Sequence, residues 1–436
     1  MNLQEEKKGK QWDSRNDAKT LISILPVWWP NCAVVCVKDS RMDSQFRRLY
    51  VVSLAAFLFN LVGNVTQPIF TLYVLELGAT VFQVGLILSL QMLSIVVLRI
   101  PLTLVAQRIG HERMILIGFA VRFSATILYF LAPNYLWLFA IPVYEAIATA
   151  SFFQLAVSMV SNMAPEERQG DALGRSMTLM LMGMFLGPII TSALVTVMTF
   201  RQLFLFAAPF PIVGMILFLR TIHRIGDSRH VQEGQPGLER PQTFSSYKAL
   251  VNDRTVLILS IIRTLYFVSN TMFTTLFAIY AVEELRFTPS LIALLFSVQG
   301  FITTFIQFPA GRIADRVGRR TVLLITFSAI ILNYVGMAVA RNFTSLILMF
   351  TVFGACWGVR AIVEWSHLTS TVPRETKTIA VSYLENFSHI GAGLGSFFAG
   401  VAGRALPFST IFLMAALVNI PAVISIYAMR KTGSRN

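Results

Sequence analysis

Charge is scarce in this chain. Only 13% of its 436 residues are Asp, Glu, Lys or Arg, against about 25% in an ordinary soluble domain. Cysteine is scarcer still. Cys32, Cys36 and Cys356 are too few for a disulfide framework and lack paired ligand spacing, so no metal site is expected. The sequence shows no His-rich cluster, no nucleophile elbow and no phosphate-binding glycine loop. Neither a membrane enzyme nor an ATP-driven pump is therefore expected, and no cofactor is required. A receptor or sensor, which would carry a soluble output domain, is not expected either.

Apolar residues are abundant instead. They make up 55% of the chain, and mean hydropathy is +0.65. One soluble core of this length could not hide such an excess, which excludes a cytosolic enzyme, a disordered chain and a secreted scaffold. An integral membrane protein remains. Its apolar runs are long and unbroken, so they read as helices; barrel strands would alternate polar and apolar. At about 20 residues per span there is room for roughly a dozen.

Twelve spans are predicted, near residues 50–75, 82–106, 114–132, 135–162, 171–198, 202–221, 255–283, 289–311, 320–340, 343–371, 378–403 and 407–430. A polar, Gly- and Pro-containing linker over 222–254 separates a six-helix bundle at 50–221 from a second at 255–430. Residues 431–436 form a tail. The net charge of +14 follows from topology, with no need for nucleic acid. Arg47, Arg48, Arg108, Arg113, Arg168, Arg312, Arg316, Arg319, Arg320, Arg374 and Lys377 crowd one set of loops, while the opposite loops carry one arginine each or none. The crowded side is expected to be cytoplasmic, with both termini there. Residues 1–49 read as a cytoplasmic extension, largely disordered; alternatively translation begins at Met42.

The halves align without gaps at an offset of 208 residues. Leu86, Ser89, Gln91, Pro101, Ala106, Arg108 and Gly110 meet Leu294, Ser297, Gln299, Pro309, Ala314, Arg316 and Gly318. Pro165, Glu167, Gly183, Leu186 and Gly187 meet Pro373, Glu375, Gly391, Leu394 and Gly395. Apolar composition would match Leu with Leu; it would not match Arg, Gly and Pro at span ends. Parallel six-helix repeats belong to transporters whose site lies between the halves near mid-bilayer.

Between spans eight and nine runs Gly311-Arg312-Ile313-Ala314-Asp315-Arg316-Val317-Gly318-Arg319-Arg320. Gly311 and Gly318 permit a tight, close-packed turn, and Asp315 is the lone acid, placed to accept from a neighbouring helix N-terminus. With these residues the chain resembles the major facilitator superfamily, whose signature loop is G-x-x-x-D-R-x-G-R-R. The resemblance implies twelve transmembrane helices in two pseudo-symmetric bundles. It further implies a latch between the halves in which Asp315 and Arg316 hold against the eleventh helix. The first-half copy keeps Arg108 and Gly110 but has Thr103 for the glycine, Gln107 for the aspartate and His111-Glu112-Arg113 for the basic triplet. In the fifth span, Gly174, Gly183, Gly187 and Pro188 resemble the fifth-helix motif of the drug/proton antiporter subgroup. The fourth-span arginine of many such exporters has no counterpart here. On physical grounds alone these glycines allow close helix approach and Pro188 permits a bend, which ordinary packing would also explain.

Each ionisable residue inside a span needs a partner or a function, since burying it costs about 3 kcal/mol. Arg122, Glu145, Arg263, Arg360, Glu364 and Glu385 are such residues, with His367 and His389 beside them. Arg263, Arg360, Glu364 and Glu385 lie at similar depth, His389 near them, and a polar cluster is expected. A carboxylate there is pulled two ways, since desolvation favours its neutral form and a guanidinium its charged form. That balance suits proton coupling; a static, charge-neutral staple is the alternative. The depths of Arg122 and Glu145 look mismatched. The family resemblance places spans one, four, seven and ten around the central cavity. Its lining would then include Asn60, Asn64, Gln67, Tyr144, Tyr266, Asn270 and Trp357. The leading expectation is a secondary active, proton-coupled exporter of amphipathic small molecules, a monomer in the cell membrane. The second is an importer or exchanger of a polar or anionic solute, favoured by the embedded arginines.

Overall fold

The computed structural model describes residues 44–163, 169–226, 253–372 and 377–427. Residues 1–43 of the N-terminal extension, most of the linker, residues 164–168 and 373–376, and the tail lie outside the described residues. So do Met42, Pro165, Glu167, Pro373 and Glu375. Residues 44–49, expected in that extension, are helical.

The described residues form helices and no strands. The first half comprises α1 (Ser44–Glu76), α2 (Val81–Ile109), α3 (His111–Leu131), α4 (Trp137–Met163), α5 (Gln169–Leu181), α6 (Gly183–Leu194), α7 (Phe200–Ala207) and α8 (Pro209–Gly226). The second comprises α9 (Arg254–Glu283), α10 (Pro289–Val317), α11 (Arg319–Val339), α12 (Phe343–Thr371), α13 (Lys377–Ala402), α14 (Phe408–Val418) and α15 (Ile420–Tyr427). Three predicted spans are each two helices end to end: α5 with α6, α7 with α8, and α14 with α15. Proline explains two of the breaks, because Pro209 and Pro421 carry no N–H for the preceding turn.

The repeat offset reappears in the element bounds. Both ends of α2 lie 208 residues before those of α10, as do both ends of α3 before α11. The start of α5 and the end of α6 bear the same relation to α13. Local chemistry repeats too. The Thr80 hydroxyl caps α2 by accepting from the Gln83 amide, and Thr288 caps α10 by accepting from Leu291. Gly110 at φ 95° and Gly318 at φ 96° make the turns after these helices. That region is open to glycine at little cost.

Among the described residues, eleven spans are long and apolar enough to cross a membrane. The twelfth expected span, α13, has 26 residues. It is less apolar, because Lys377, Glu385, Asn386, Ser388 and His389 lie along it. Large apolar side chains such as Val97, Leu332, Val339 and Ile424 face outward, as lipid contact requires. Inside the second half an aromatic core gathers Phe273, Phe277, Tyr334, Phe350, Phe353 and Phe412.

The halves meet along two helix pairs, α2 with α13 and α6 with α10. Small residues let the backbones touch. A methyl added at Gly85 would lie 2.5 Å from the Ser396 carbonyl oxygen and 2.6 Å from the Gly400 Cα. One at Gly300 would lie 2.6 Å from the Met184 carbonyl carbon. At the end opposite the basic loops, the Ser192 and Ser290 hydroxyls are 3.0 Å apart, and Arg404 stacks on Phe82 at 3.7 Å. That end is closed.

Candidate functional site

In the second half α9, α12 and α13 each bring charge to one buried point. Arg360 and Glu364 share a face of α12, four residues apart, and Arg360 Nη1 donates to Glu364 Oε2 at 2.5 Å. Arg263 on α9 donates from Nη1 to the same oxygen at 2.9 Å, from Nη2 to Glu385 Oε1, and from Nε to Ser388 Oγ at 2.5 Å. Arg360 also lies 4.0 Å above the Tyr266 ring, a favourable place for a desolvated guanidinium. Two positive and two negative groups thus balance. They differ in access: the Glu364 side chain is fully buried, while that of Glu385 is 24% exposed. Glu364 Oε1 and Arg360 Nε have no hydrogen-bond partner.

His389 and Asn386 face the other way, across the seam. Arg99 on α2 donates from Nη1 to Asn386 Oδ1 at 2.9 Å, and its Nη2 lies 3.4 Å from His389 Nδ1. Arg99 is buried and joins the embedded charges, although sequence reasoning overlooked it. The signal was present, an arginine ten residues inside the end of α2.

A second, separate pair sits in the first half. Arg122 Nη1 contacts Glu145 Oε1 directly. The Tyr129 hydroxyl donates to Glu145 Oε2 at 2.7 Å and Gln91 Nε2 to the same oxygen at 3.3 Å. The expected depth mismatch is corrected here. Arg122 is nine residues from Leu131 and Glu145 eight from Trp137, so the two are level when counted from the ends of α3 and α4 opposite the basic loops. α4 simply runs on further at the basic end.

Between the halves lies a cavity of about 180 Å³. Asn64 and Gln67 from α1 and Asn270 and Thr274 from α9 line it. Met184 of α6 and Phe296, Gln299 and Gly300 of α10 complete the wall. Asn60 lies one turn away, its carbonyl accepting from Asn64 Nδ2 at 2.9 Å. Tyr144, Tyr266 and Trp357 lie elsewhere. Tyr144 meets Ser124 at 2.9 Å, and the Tyr266 and Trp357 rings stand beside Arg360. The family resemblance pointed to spans four and ten, whereas α6 and α10, from spans five and eight, supply the wall. Gln299 could have been found as a mid-span amide in the repeat. Met184 and Gly300 carry no such signal, because they reach the cavity only through the close crossing of α6 and α10.

Gly300 makes this crossing close, while the fifth-span glycines Gly183 and Gly187 seat α6 on α1. A methyl at Gly187 would lie 2.6 Å from the Asn64 carbonyl carbon, and one at Gly183 would be 3.5 Å from the Leu61 Cα. Gly174 faces open space. Pro188 supplies no N–H, so the Met184 carbonyl has no helical donor four residues on.

The Major Facilitator Superfamily model matches residues 52–267 and 259–435, nearly all of the chain that spans these two bundles. The chain belongs to the Major Facilitator Superfamily. Among its superfamily relatives is "Multidrug resistance protein MdtG" of Rahnella sp. (strain Y9602), 24% identical over 85% of this chain and 90% of the relative. Another is "Riboflavin transporter RibZ" of Clostridioides difficile (strain 630), 19% identical over 90% and 99% of the two chains. The fold is shared with the nucleoside transporter NupG, at TM-score 0.72 and 14% identity over 88% and 100%. It is also shared with a bacterial homolog of the human lysosomal transporter Spinster in an inward-facing conformation, at TM-score 0.68 and 15% identity over 88% and 95%.

The superfamily's signature loop makes its described contacts at the basic end of the second half. Asp315 is 65% exposed and pairs with Arg319 at 3.4 Å, one turn along. Arg319 Nη1 donates to Ser370 Oγ at 2.5 Å; Arg320 Nε donates to the Ile426 carbonyl at 3.2 Å, and its Nη2 to that of Tyr427. Arg316 is exposed. Among the described residues these contacts stay within the second half. Among the described residues, Arg99 with Asn386 and His389 is a polar side-chain contact that crosses the seam in the basic half of the spans.

Proposed function

We propose that this transporter works by alternating access and exports amphipathic small molecules in exchange for protons. It does so as a monomer in the plasma membrane, with both termini cytoplasmic. Orientation rests on the clustered basic loops, and direction on the multidrug resistance name of several relatives. Coupling rests on one observation, the unequal access of two carboxylates that share Arg263. The Glu364 side chain is fully buried, and that of Glu385 is 24% exposed. A proton on Glu385 releases one Arg263 nitrogen while Glu364 keeps the other, so the network has two states at modest cost. Asn386 and His389, on the same turns of α13, touch Arg99 of the opposite half. A shift of α13 therefore reaches the seam.

Import or exchange of a polar or anionic solute is the second reading. Four embedded arginines, Arg99, Arg122, Arg263 and Arg360, against Glu145, Glu364 and Glu385 favour it. Flux in proteoliposomes with an imposed pH gradient separates the two. Gradient-driven loss of an amphipathic dye that Glu385→Gln abolishes supports export; dye movement indifferent to the gradient refutes it.

A further inference from the structure

The proposed function leaves the solute's charge open, and the cavity bears on it. Its walls carry amides from both halves and no ionised side chain. Seven residues from Asn270 along α9, or about 10 Å at helical rise, stands Arg263, with Arg360 beside it. All three carboxylates embedded among the described spans are already engaged: Glu364 by Arg263 and Arg360, Glu385 by Arg263, and Glu145 by Arg122, Tyr129 and Gln91. A cationic solute would leave water with no acid to meet it and with arginines for neighbours, an uncompensated desolvation.

The cavity offers hydrogen bonds instead. Asn270 Oδ1 is buried without a partner, an arrangement that costs stability unless something donates to it. Asn64, Gln67 and Gln299 present both donors and acceptors, with Met184 and Phe296 as apolar walls. Size narrows the class further. A dry cavity of about 150 Å³ holds benzene, so about 180 Å³ fits one ring with a small substituent.

We infer that the cavity selects an uncharged, single-ring head group bearing both a hydrogen-bond donor and an acceptor, and discriminates against organic cations. Asn270 and Gln299 are its specificity-determining residues. The inference rests on the transport reading only in taking this cavity as the solute site.

Three ring compounds of nearly one shape test it: neutral nicotinamide, anionic nicotinate and the permanent cation 1-methylnicotinamide. Equilibrium binding to the full-length protein in nanodiscs, without any pH gradient, is read by calorimetry. The expected order places nicotinamide about tenfold or more tighter than the cation, a gap consistent with charge repulsion over about 10 Å at the effective dielectric of such sites. Asn270→Leu should weaken nicotinamide about tenfold, and Asn270→Asp should raise affinity for the cation while thermal stability confirms folding. Equal or tighter cation binding, absence of saturable nicotinamide binding, or an unchanged order in both variants overturns the inference. None of these readouts needs Glu385 or a gradient, so failure here is distinct from failure of proton exchange.

Discussion

Removing the Glu364 charge should damage the fold far more than removing that of Glu385, although both meet the same arginine. Glu364 Oε2 accepts from Arg263 and Arg360 together. In Glu364→Gln, Arg263 retains Glu385, but Arg360 is left buried against Tyr266 with no carboxylate. Stranding one partner of a buried pair costs about 3–5 kcal/mol. At about 2 °C per kcal/mol for a chain of this size, thermal unfolding in detergent should begin roughly 6–10 °C lower. In Glu385→Gln, Arg263 keeps Glu364 and its hydrogen bond to Ser388. About 1.5 kcal/mol is expected, the low end for one charge-assisted bond, because the lost carboxylate is partly exposed. A third variant decides whether charge or shape is responsible. Arg360→Met with Glu364→Leu removes both ions, so it should recover most of what Glu364→Gln lost, because apolar replacement of a whole pair is close to neutral. Differential scanning fluorimetry on the three purified variants reads all of this. Equal melting temperatures for Glu364→Gln and the parent, or a double variant no better than the single, would refute the account of the network.

Other consequences follow from the seam and the first-half pair. Ser192→Cys with Ser290→Cys, in a chain cleared of its own cysteines, should form a disulfide under mild oxidation, because the parent hydroxyls are 3.0 Å apart and suitable Cβ separations are about 3.5–4.5 Å. Flux should stop on oxidation and return with reductant; thiols that stay free would show that this end is not held shut. Gly85→Leu inserts a side chain where even a methyl would meet the Ser396 oxygen at 2.5 Å. Spin-label distances across that end should lengthen by several Å, and unchanged distances would contradict the close packing of α2 on α13. Arg99→Gln should loosen the seam at the basic end while leaving melting within about 2 °C, since Glu385 keeps Arg263. Faster labelling of a cysteine placed at Leu93, which faces Gly393 across the seam, is the readout. Glu145→Leu strands Arg122 beside Phe59 and should cost about 3–5 kcal/mol, with Arg122→Met as the compensating second change; lack of compensation would argue against a direct pair.

What the sequence by itself determined is what lipid imposes along one dimension. Hydrocarbon demands long apolar helices with every backbone bond made internally. Composition therefore revealed the spans, and the offset of 208 residues appears in the helix ends almost residue for residue. The ionisable residues of the seventh, tenth and eleventh spans stood out against an apolar background, and the helical spacing of Arg360 and Glu364 already put them on one face. Rotation, depth and neighbours were decided only in three dimensions. Arg122 and Glu145 meet because the extra length of α4 over α3 lies at the basic end alone. Arg99 reaches α13 because Gly85 and Gly400 bring two backbones together. Met184 and Gly300 enter the cavity wall because Gly300 lets α10 close on α6, while Gly183 and Gly187 seat α6 on α1. Hydropathy reports how far a residue lies from water, whereas a site requires knowing which way it faces, and that direction is set by the packing of helices against each other.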